Sequence, residues 1–439
     1  MIKFNPLVNY NKFIHILIIT LPICYIIGSF SLNVVIIIFS LIFFFLILNR
    51  KIDFDLKFYF FFIFFFIFIL VNTLLSDFST YSFYKFTSYL RFSFFTFSLI
   101  FFLFYCSNKQ LKIITFFFMS IILFVIIDTF IQFLFNEDLF GFKVDYNKAY
   151  GRLSGPFGDE FIVGSYLLVF GFINYFLVKK IFINNIYIDI FYLTLLPIII
   201  FLTGERSAFL SCLIFLFLLL ILNRKERIKI FLCIFIVFIS IFIITKNFQP
   251  LKDRYSLTVI AQTFLHLEES TNYFQKENEK NEKKENLTIK DDLINKKNLI
   301  LSTLWFKHFN GAIEIFKNNY YFGSGFKTYR YACIKIDDKK SKNVVCTTHP
   351  HNIYFELLSD TGIIGFFIFL IFLFKICFDF FRNKLFYKFQ SNIIFSLMLS
   401  FLFPLKPHGS FFTTNYAFLF WLILSFLLYE FYFHNQNKK

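Results

Sequence analysis

The sequence predicts an all-α fold: a polytopic membrane protein with about 12 transmembrane helices and one large extramembrane loop. Three observations predict it. Of 439 residues, 58% are hydrophobic and 24% aromatic, with 79 Phe, more apolar surface than a water-soluble domain can bury. The apolar residues fall into runs close to the roughly 20 residues that a spanning helix needs. The net charge of +16 gathers in alternate linkers between those runs, as the positive-inside rule expects, and does not form a nucleic-acid-binding patch.

The runs lie at 13–30, 32–48, 58–75, 87–106, 111–135, 161–178, 186–203, 207–222, 228–245, 362–381, 391–404 and 414–433. Lys3 and Lys12 before the first run resemble a signal peptide, but no small-residue cleavage site follows, so this run reads as a retained helix. The basic linkers carry Arg50, Lys51 and Lys57; Lys109 and Lys112; Lys179 and Lys180; Arg224, Lys225, Arg227 and Lys229; and Lys375, Arg382, Lys384 and Lys388, with Lys438 and Lys439 closing the chain. Both termini are therefore expected in the cytoplasm. Residues 246–352, Gly151–Glu160, Glu205, Arg206 and Pro404–His408 fall on the other side. The organisation is a membrane part, 1–245, with nine helices; a loop, 246–352; and a second membrane part, 353–439, with three. Within the loop, 246–267 alternates loosely enough to lie on a membrane surface. Residues 268–298, dense in Glu, Lys and Asn, read as a solvated helix or disordered insert. Residues 299–330 place Leu304, Phe309, Ala312, Ile313 and Phe316 at helical spacing, and that helix should stop near Asn318-Asn319, before Gly323-Ser324-Gly325.

The residues able to carry chemistry gather on the side of the large loop. In His349-Pro350-His351-Asn352, the proline holds His349 extended and Asn352 is a good N-cap, so His351 lies just before a helix start. The dipole there favours neutral imidazole and attracts anions, which suits a general base near phosphate; the plain alternative is a pair of capping histidines at a membrane surface. Arg206 lies at a membrane boundary, where an unpartnered guanidinium is costly and a phosphate would suit its planar fork. A snorkelling anchor is the alternative; a pair with adjacent Glu205 is weak because neighbours on a helix do not face each other. Arg152, in Gly151–Glu160, is a second phosphate ligand candidate, with Asp159 or Glu160 placed to orient a histidine or an acceptor hydroxyl. Arg91 lies inside a run near its outer end and could line an anion path. Arg330 leads into Cys333, and Cys333 and Cys346 close a short lysine-bearing loop. In an oxidising compartment they are expected to pair, a constraint worth roughly 3 kcal/mol in the chain-entropy model, tethering Arg330 near the histidines. The other five cysteines read as small hydrophobes. A zinc site at His349 and His351 with His308 or Asp360 has no supporting Cys-x-x-Cys or His-Glu-x-x-His pattern, so no metal is expected.

Four elements in this order resemble the O-antigen ligase and polymerase superfamily of bacterial envelope glycosyltransferases: Arg152-Leu153-Ser154-Gly155-Pro156-Phe157; Thr203-Gly204-Glu205-Arg206-Ser207-Ala208; Ile315-Phe316-Lys317-Asn318-Asn319 with Phe322-Gly323-Ser324-Gly325; and His349-Pro350-His351-Asn352 with Tyr354 and Gly362-Ile363-Ile364-Gly365. One departure is Tyr320-Tyr321, where the family often has proline. The resemblance implies a GT-C-like helical fold in the bacterial inner membrane with its large loop and active face in the periplasm, no cofactor, and a glycan donor on undecaprenyl diphosphate. It implies Arg206 and Arg152 as diphosphate ligands and His351 as base, with Arg330, His349, His308 and Asn352 as weaker binding candidates. The acceptor is lipid A-core for a ligase or a second lipid-linked glycan for a polymerase. A lipid-linked oligosaccharide flippase is the reading from another class; it should carry charge along several helices and show repeat-related halves, whereas polar residues here gather on one face. The topology is testable: reporter fusions at Lys280 and Lys225 should report opposite sides, and the same side for both overturns it.

Overall fold

The computed structural model describes residues 8–48, 56–144, 151–182, 185–255, 304–337, 344–407 and 409–436. The charged 268–298 insert and most of the 246–267 stretch lie outside the described residues. The helices are α1 Val8–Ile27, α2 Ser29–Leu48, α3 Leu56–Leu74, α4 Ser79–Tyr105, α5 Asn108–Phe135 and α6 Val163–Ile181. There follow α7 Ile186–Leu202, α8 Arg206–Leu222, α9 Arg227–Asn247 and the short α10 Gln249–Tyr255. The large loop holds α11 Leu304–Asn318 and α12 Tyr329–Asp337, and the chain closes with α13 Ile353–Arg382, α14 Phe389–Phe401 and α15 Thr414–Gln436. Among the described residues there is no strand, only an isolated bridge between Glu137 and Lys143.

Each of the 12 apolar runs falls on a helix, with ends shifted by a few residues. Six helices, α4, α5, α6, α9, α13 and α15, are long and apolar enough to cross a membrane, and six shorter apolar helices occupy the other runs. The start moves most at α13, which begins at Ile353 and not at 362, and next at α4, which starts at Ser79 and not at 87. Its polar first turns pack inward, with Ser82 and Phe86 buried and Tyr81 against Tyr331 at 4.7 Å between ring centroids. At α5, Ser107 and Gln110 form a reciprocal capping box.

Burial sorts the helices. On α6, α14 and α15 nearly every described side chain is enclosed, so these form the centre of the bundle, α14 lying between α6 and α8. On α9, Phe231, Phe235, Phe238 and Phe242 are exposed, and on α13 so are Phe367, Ile371, Phe374 and Phe378. An apolar stripe turned outward is stable only against lipid.

The linkers collect at two ends, grouped as the alternation of charge groups them. At one end Asp189 takes Lys179 at 2.5 Å and Lys229 at 2.6 Å, Glu226 takes Lys229 at 2.7 Å, and Glu430 takes Lys180 at 2.6 Å. At the other end Leu153 N donates to Thr203 O (3.1 Å), Asn352 Nδ2 to Pro404 O (2.8 Å) and Asn72 Nδ2 to Asp360 O (3.0 Å).

Here α13 is broken. Gly362 sits at φ 64°, ψ −169°, a conformation open to glycine. The turn after α11 fills the break: Ile363 N donates to Tyr320 O (2.9 Å), Ile364 N to Tyr321 O (3.3 Å), Ser324 N to Ser359 O (2.8 Å) and Gly325 N to Asp360 O (3.0 Å). The Gly-Ser-Gly segment, by sequence a turn, is thus the plug of a helix break. A Cβ on Gly323 (φ +72°) would lie 2.5 Å from Asp360 C, Thr361 N and Gly362 N. Gly323→Ala should therefore cost more than the roughly 1–3 kcal/mol of a strained φ alone. Gly28→Ala, at φ +122° with nothing within 4 Å, isolates that strain. Detergent thermal-melt midpoints should fall much further for Gly323→Ala; equal falls contradict the plug.

Candidate functional site

The first half of the site is a cationic recess around Gly204-Glu205. Gly204 (φ +69°) turns the chain between α7 and α8, and a Cβ there would meet Arg254 Nε at 3.0 Å and Arg152 Cα at 3.5 Å. Glycine thus lets two arginine-bearing segments close over the turn. Arg254, on α10, is buried and donates from Nε to Gly204 O at 2.5 Å. Arg152 donates from Nη2 to Phe161 O at 2.6 Å and lies 5.0 Å from the Phe161 ring centroid. Its loop is fixed from below by Gln132, whose side-chain oxygen accepts from Ser154 N (2.9 Å) and Gly155 N (2.8 Å). Arg206 is the first residue of α8. Glu205 is buried and accepts from both Ser165 N (2.9 Å) and Ser165 Oγ, so its carboxylate fastens α6 to the turn. Lys406, buried in the loop between α14 and α15, donates from Nζ to Ser211 Oγ at 2.6 Å.

The electrostatics follow from this crowding. Burial pushes the Arg254 guanidinium down to about 10, and Arg152 and Arg206 push it the same way. Burial lowers Arg152, which Glu205 opposes. Burial takes Lys406 down to about 7, against the pull of Glu205. Burial raises the Glu205 carboxyl, while Ser165 and Arg152 oppose the rise. Like charges held together out of water are costly, and a bound anion relieves that cost.

The second half is a histidine cluster. Asn352 caps α13 as the sequence predicts, its Oδ1 accepting from Tyr354 N (3.0 Å) and Phe355 N (3.4 Å). His351 immediately before it has φ 56°, unusual for a residue with a Cβ. Its ring centroid lies 4.2 Å from that of His349 and 5.2 Å from that of His308. Val345 O is 3.0 Å from His308 Nδ1. A carbonyl can only accept, so a neutral His308 carries its proton on Nδ1 and presents Nε2 as an acceptor. Cys333 and Cys346 are joined by a disulfide. It ties α12 to the segment that ends in the histidines, and with Ala312, Ile315, Tyr329 and Val344 it forms a small separate core. Among the described residues no group of three or more His, Cys, Asp or Glu side chains could hold a metal ion.

One segment touches both halves. Asn352 Nδ2 donates to Pro404 O (2.8 Å) and Tyr354 Oη to Leu402 O (2.6 Å), and two residues on is Lys406. The structure thus brings Arg152 and Arg206 together, and His308, His349, His351 and Asn352 together, at one end of the bundle. Arg330 goes elsewhere: it is exposed on α12, near Tyr81. Asp159 and Glu160 are exposed and hydrogen-bond to no histidine among the described residues. Arg91 donates to Ser88 O (2.7 Å), Asn33 Oδ1 (3.0 Å) and Thr414 Oγ1 (3.3 Å), so it staples α2, α4 and α15. Arg254 and Lys406 join the recess with no motif around them to announce it. The single sequence signal is a lone cation in a segment already on the polar side.

An all-helical, multi-pass membrane protein with a cationic recess and an imidazole cluster at the same end is the class these features define. Residues 191–370, from within α7 through the break in α13, match the family described as O-antigen ligase. The match contains Arg206, Arg254 and all three clustered histidines, and it supports the O-antigen ligase and polymerase superfamily and an O-antigen ligase-like membrane enzyme. No curated protein matches the chain.

Burial, with His349 and His308 adding to it, pushes the His351 imidazole down to about 4. It should then stay neutral as pH falls through the ordinary histidine range and take its proton only near pH 4. NMR titration of ring-labelled histidine, with His351→Gln for assignment, checks this. A midpoint near the model-peptide value of about 6.5 contradicts the half-buried placement.

Proposed function

We propose that the chain is a metal-independent membrane glycosyltransferase of the inner membrane. It moves a glycan from undecaprenyl diphosphate to an acceptor sugar hydroxyl on the periplasmic face, as an O-antigen ligase whose acceptor is lipid A-core. The observation that carries this reading is the convergence of Arg152, Arg206 and Arg254 on the Gly204 turn, at the end of the bundle where the histidines lie. At the opposite end lysines pair with carboxylates, whereas in the recess Arg152 and Arg254 hydrogen-bond to carbonyls and Lys406 to a hydroxyl. That arrangement suits an anionic ligand brought from outside, and a lipid diphosphate lying at a membrane boundary is one.

In this mechanism the arginines hold the diphosphate and stabilise the charge that grows on its oxygens as the anomeric C–O bond breaks. The acceptor hydroxyl attacks the anomeric carbon, and its proton passes to the neutral ring nitrogen of His351. Burial, with His349 and His308 adding to it, disfavours protonation of that ring beforehand. Undecaprenyl diphosphate leaves, and the new glycosidic bond balances the one broken. The lipid-linked polymerase shares this donor chemistry, so the acceptor alone separates the two. A deletion strain whose core lacks any O-chain while long lipid-linked chains accumulate identifies a ligase; core bearing a single repeat unit identifies a polymerase.

The division of labour is tested in vitro with correctly inserted variants. Arg206→Lys keeps the charge and loses the bidentate fork, so donor binding and transfer should both fall. His351→Ala should leave donor binding near wild type and lower transfer by roughly 10²–10⁴, the usual worth of a general base. His351→Gln should not restore it. Near-wild-type turnover in His351→Ala removes His351 as base and passes the role to His349. Loss of activity with chelator, restored by zinc, overturns the metal-independent mechanism.

A further inference from the structure

A cavity of about 510 Å³ opens between α5, α6 and α7 at the end of the bundle opposite the arginine recess. Its size falls within the roughly 300–1,000 Å³ of small-ligand pockets. Met119, Val178, Ile188 and Phe191 wall it, and Tyr192 closes the floor. The polar atoms there already face inward: the Tyr192 hydroxyl is 2.8 Å from the Asn174 amide, and Thr115 Oγ1 donates to Leu111 O at 2.7 Å. With these hydroxyls engaged and the rest of the described inner wall apolar, the interior suits a hydrocarbon chain. Residues 191–195 form a π-helical turn, an irregularity frequent at functional sites. Phe191 and Tyr192 both line the cavity from it, their rings 4.9 Å apart.

The mouth has a different chemistry. Lys112 and Asn185 stand there, and Lys112 Nζ is 5.9 Å from the Phe182 ring centroid. Lys112 is the charged residue among the lining residues. Asn185 uses its Oδ1 to cap α7 by accepting from Tyr187 N (2.9 Å), which turns its amide to donor work. Phe116 and Tyr187 flank the opening at 72% and 79% exposure, an aromatic rim of the kind found at a membrane interface. A cation over an apolar slot, at the depth of the headgroups, complements a phosphate carrying an acyl chain.

We propose that this cavity is a binding site for an anionic glycerophospholipid of the leaflet opposite the active face. One acyl chain lies against Met119, Phe191 and Tyr192, and the phosphate sits on Lys112. The donor lipid is not the occupant proposed, because its diphosphate belongs to the recess at the other end. The ligand would brace the ends of α5, α6 and α7 beside the Lys179–Asp189–Lys229 ion pairs, Tyr192 stacking on Tyr175, which donates to Asp189.

Native mass spectrometry of the full chain, delipidated and titrated with phosphatidylglycerol or with phosphatidylcholine of the same acyl chains, tests this. One phosphatidylglycerol should be retained in preference. Lys112→Ala, a change at an exposed residue, should weaken its retention about fivefold, towards that of phosphatidylcholine. Lys109→Ala, next to the site but not lining it, should not. Met119→Trp, which fills the slot, should expel both lipids. The proposal is overturned if Lys112→Ala and Lys109→Ala retain phosphatidylglycerol alike, if neither lipid is held by the wild-type chain, or if a polyprenyl lipid is what the purified protein carries.

Discussion

A helix inside a lipid-spanning bundle can be interrupted only where its released backbone groups find new partners. At Gly362 they find them in Tyr320, Tyr321 and the Gly323–Gly325 turn, and the end of the bundle that holds the histidines depends on that exchange. The part of α13 before the break belongs with the loop; the part after it turns Phe367, Ile371 and Phe374 outward. Because the plug is backbone docked on backbone, it fixes position more tightly than side-chain contacts would. Asn352 and the histidines before it inherit this fixed origin. Glu356, one turn further in, is buried and accepts from Ser410 Oγ (2.5 Å) and Phe411 N (2.7 Å), so the loop leading into α15 is set from the same short stretch.

The two ends of the bundle treat charge differently, and the difference is a physical one. The Asp189 and Glu430 clusters bury lysines beside carboxylates that also take hydrogen bonds from Tyr175 and Ser391. Such pairs recover through mutual attraction and hydrogen bonding much of what leaving water costs them. The recess keeps several cations close around Glu205, a carboxylate that is itself occupied by Ser165. A fold that maximised stability alone would have little reason to assemble Arg152, Arg206 and Arg254 there. Sites that must hold a charged substrate commonly accept this kind of local cost.

The sequence makes the helices legible because lipid imposes a length and a polarity on each one. It makes the start of α13 legible because an N-cap is a local event, readable from Asn352 and its neighbours, and it makes the end of α11 at Asn318 legible for a similar local reason. It does not reveal Arg254 or Lys406. Their roles arise from the approach of α10 to the Gly204 turn and of the 402–406 segment to α8, and nothing within a few residues of either encodes that approach. The meaning of Gly323-Ser324-Gly325 is half legible: glycines announce a turn, while the helix break that the turn fills lies 37 residues further on, at Gly362. Arg330 shows the reverse error. Proximity in sequence to Cys333 points it toward the histidines, but it sits on the outer face of α12.

The Cys333–Cys346 bond has a consequence for the life history of the molecule. A disulfide persists only where thiols are not kept reduced, so on the orientation proposed here it closes after the large loop has left the cytosol. Until then the segment ending in His349 and His351 is held by its noncovalent contacts alone. The covalent tether thus follows translocation: a newly made chain, or one inserted upside down, carries every site residue in its sequence yet lacks this link between them. On that orientation, insertion in the bilayer and the covalent anchoring of the histidine segment become one event, and a misplaced copy keeps the backbone plug but not the second, covalent anchor.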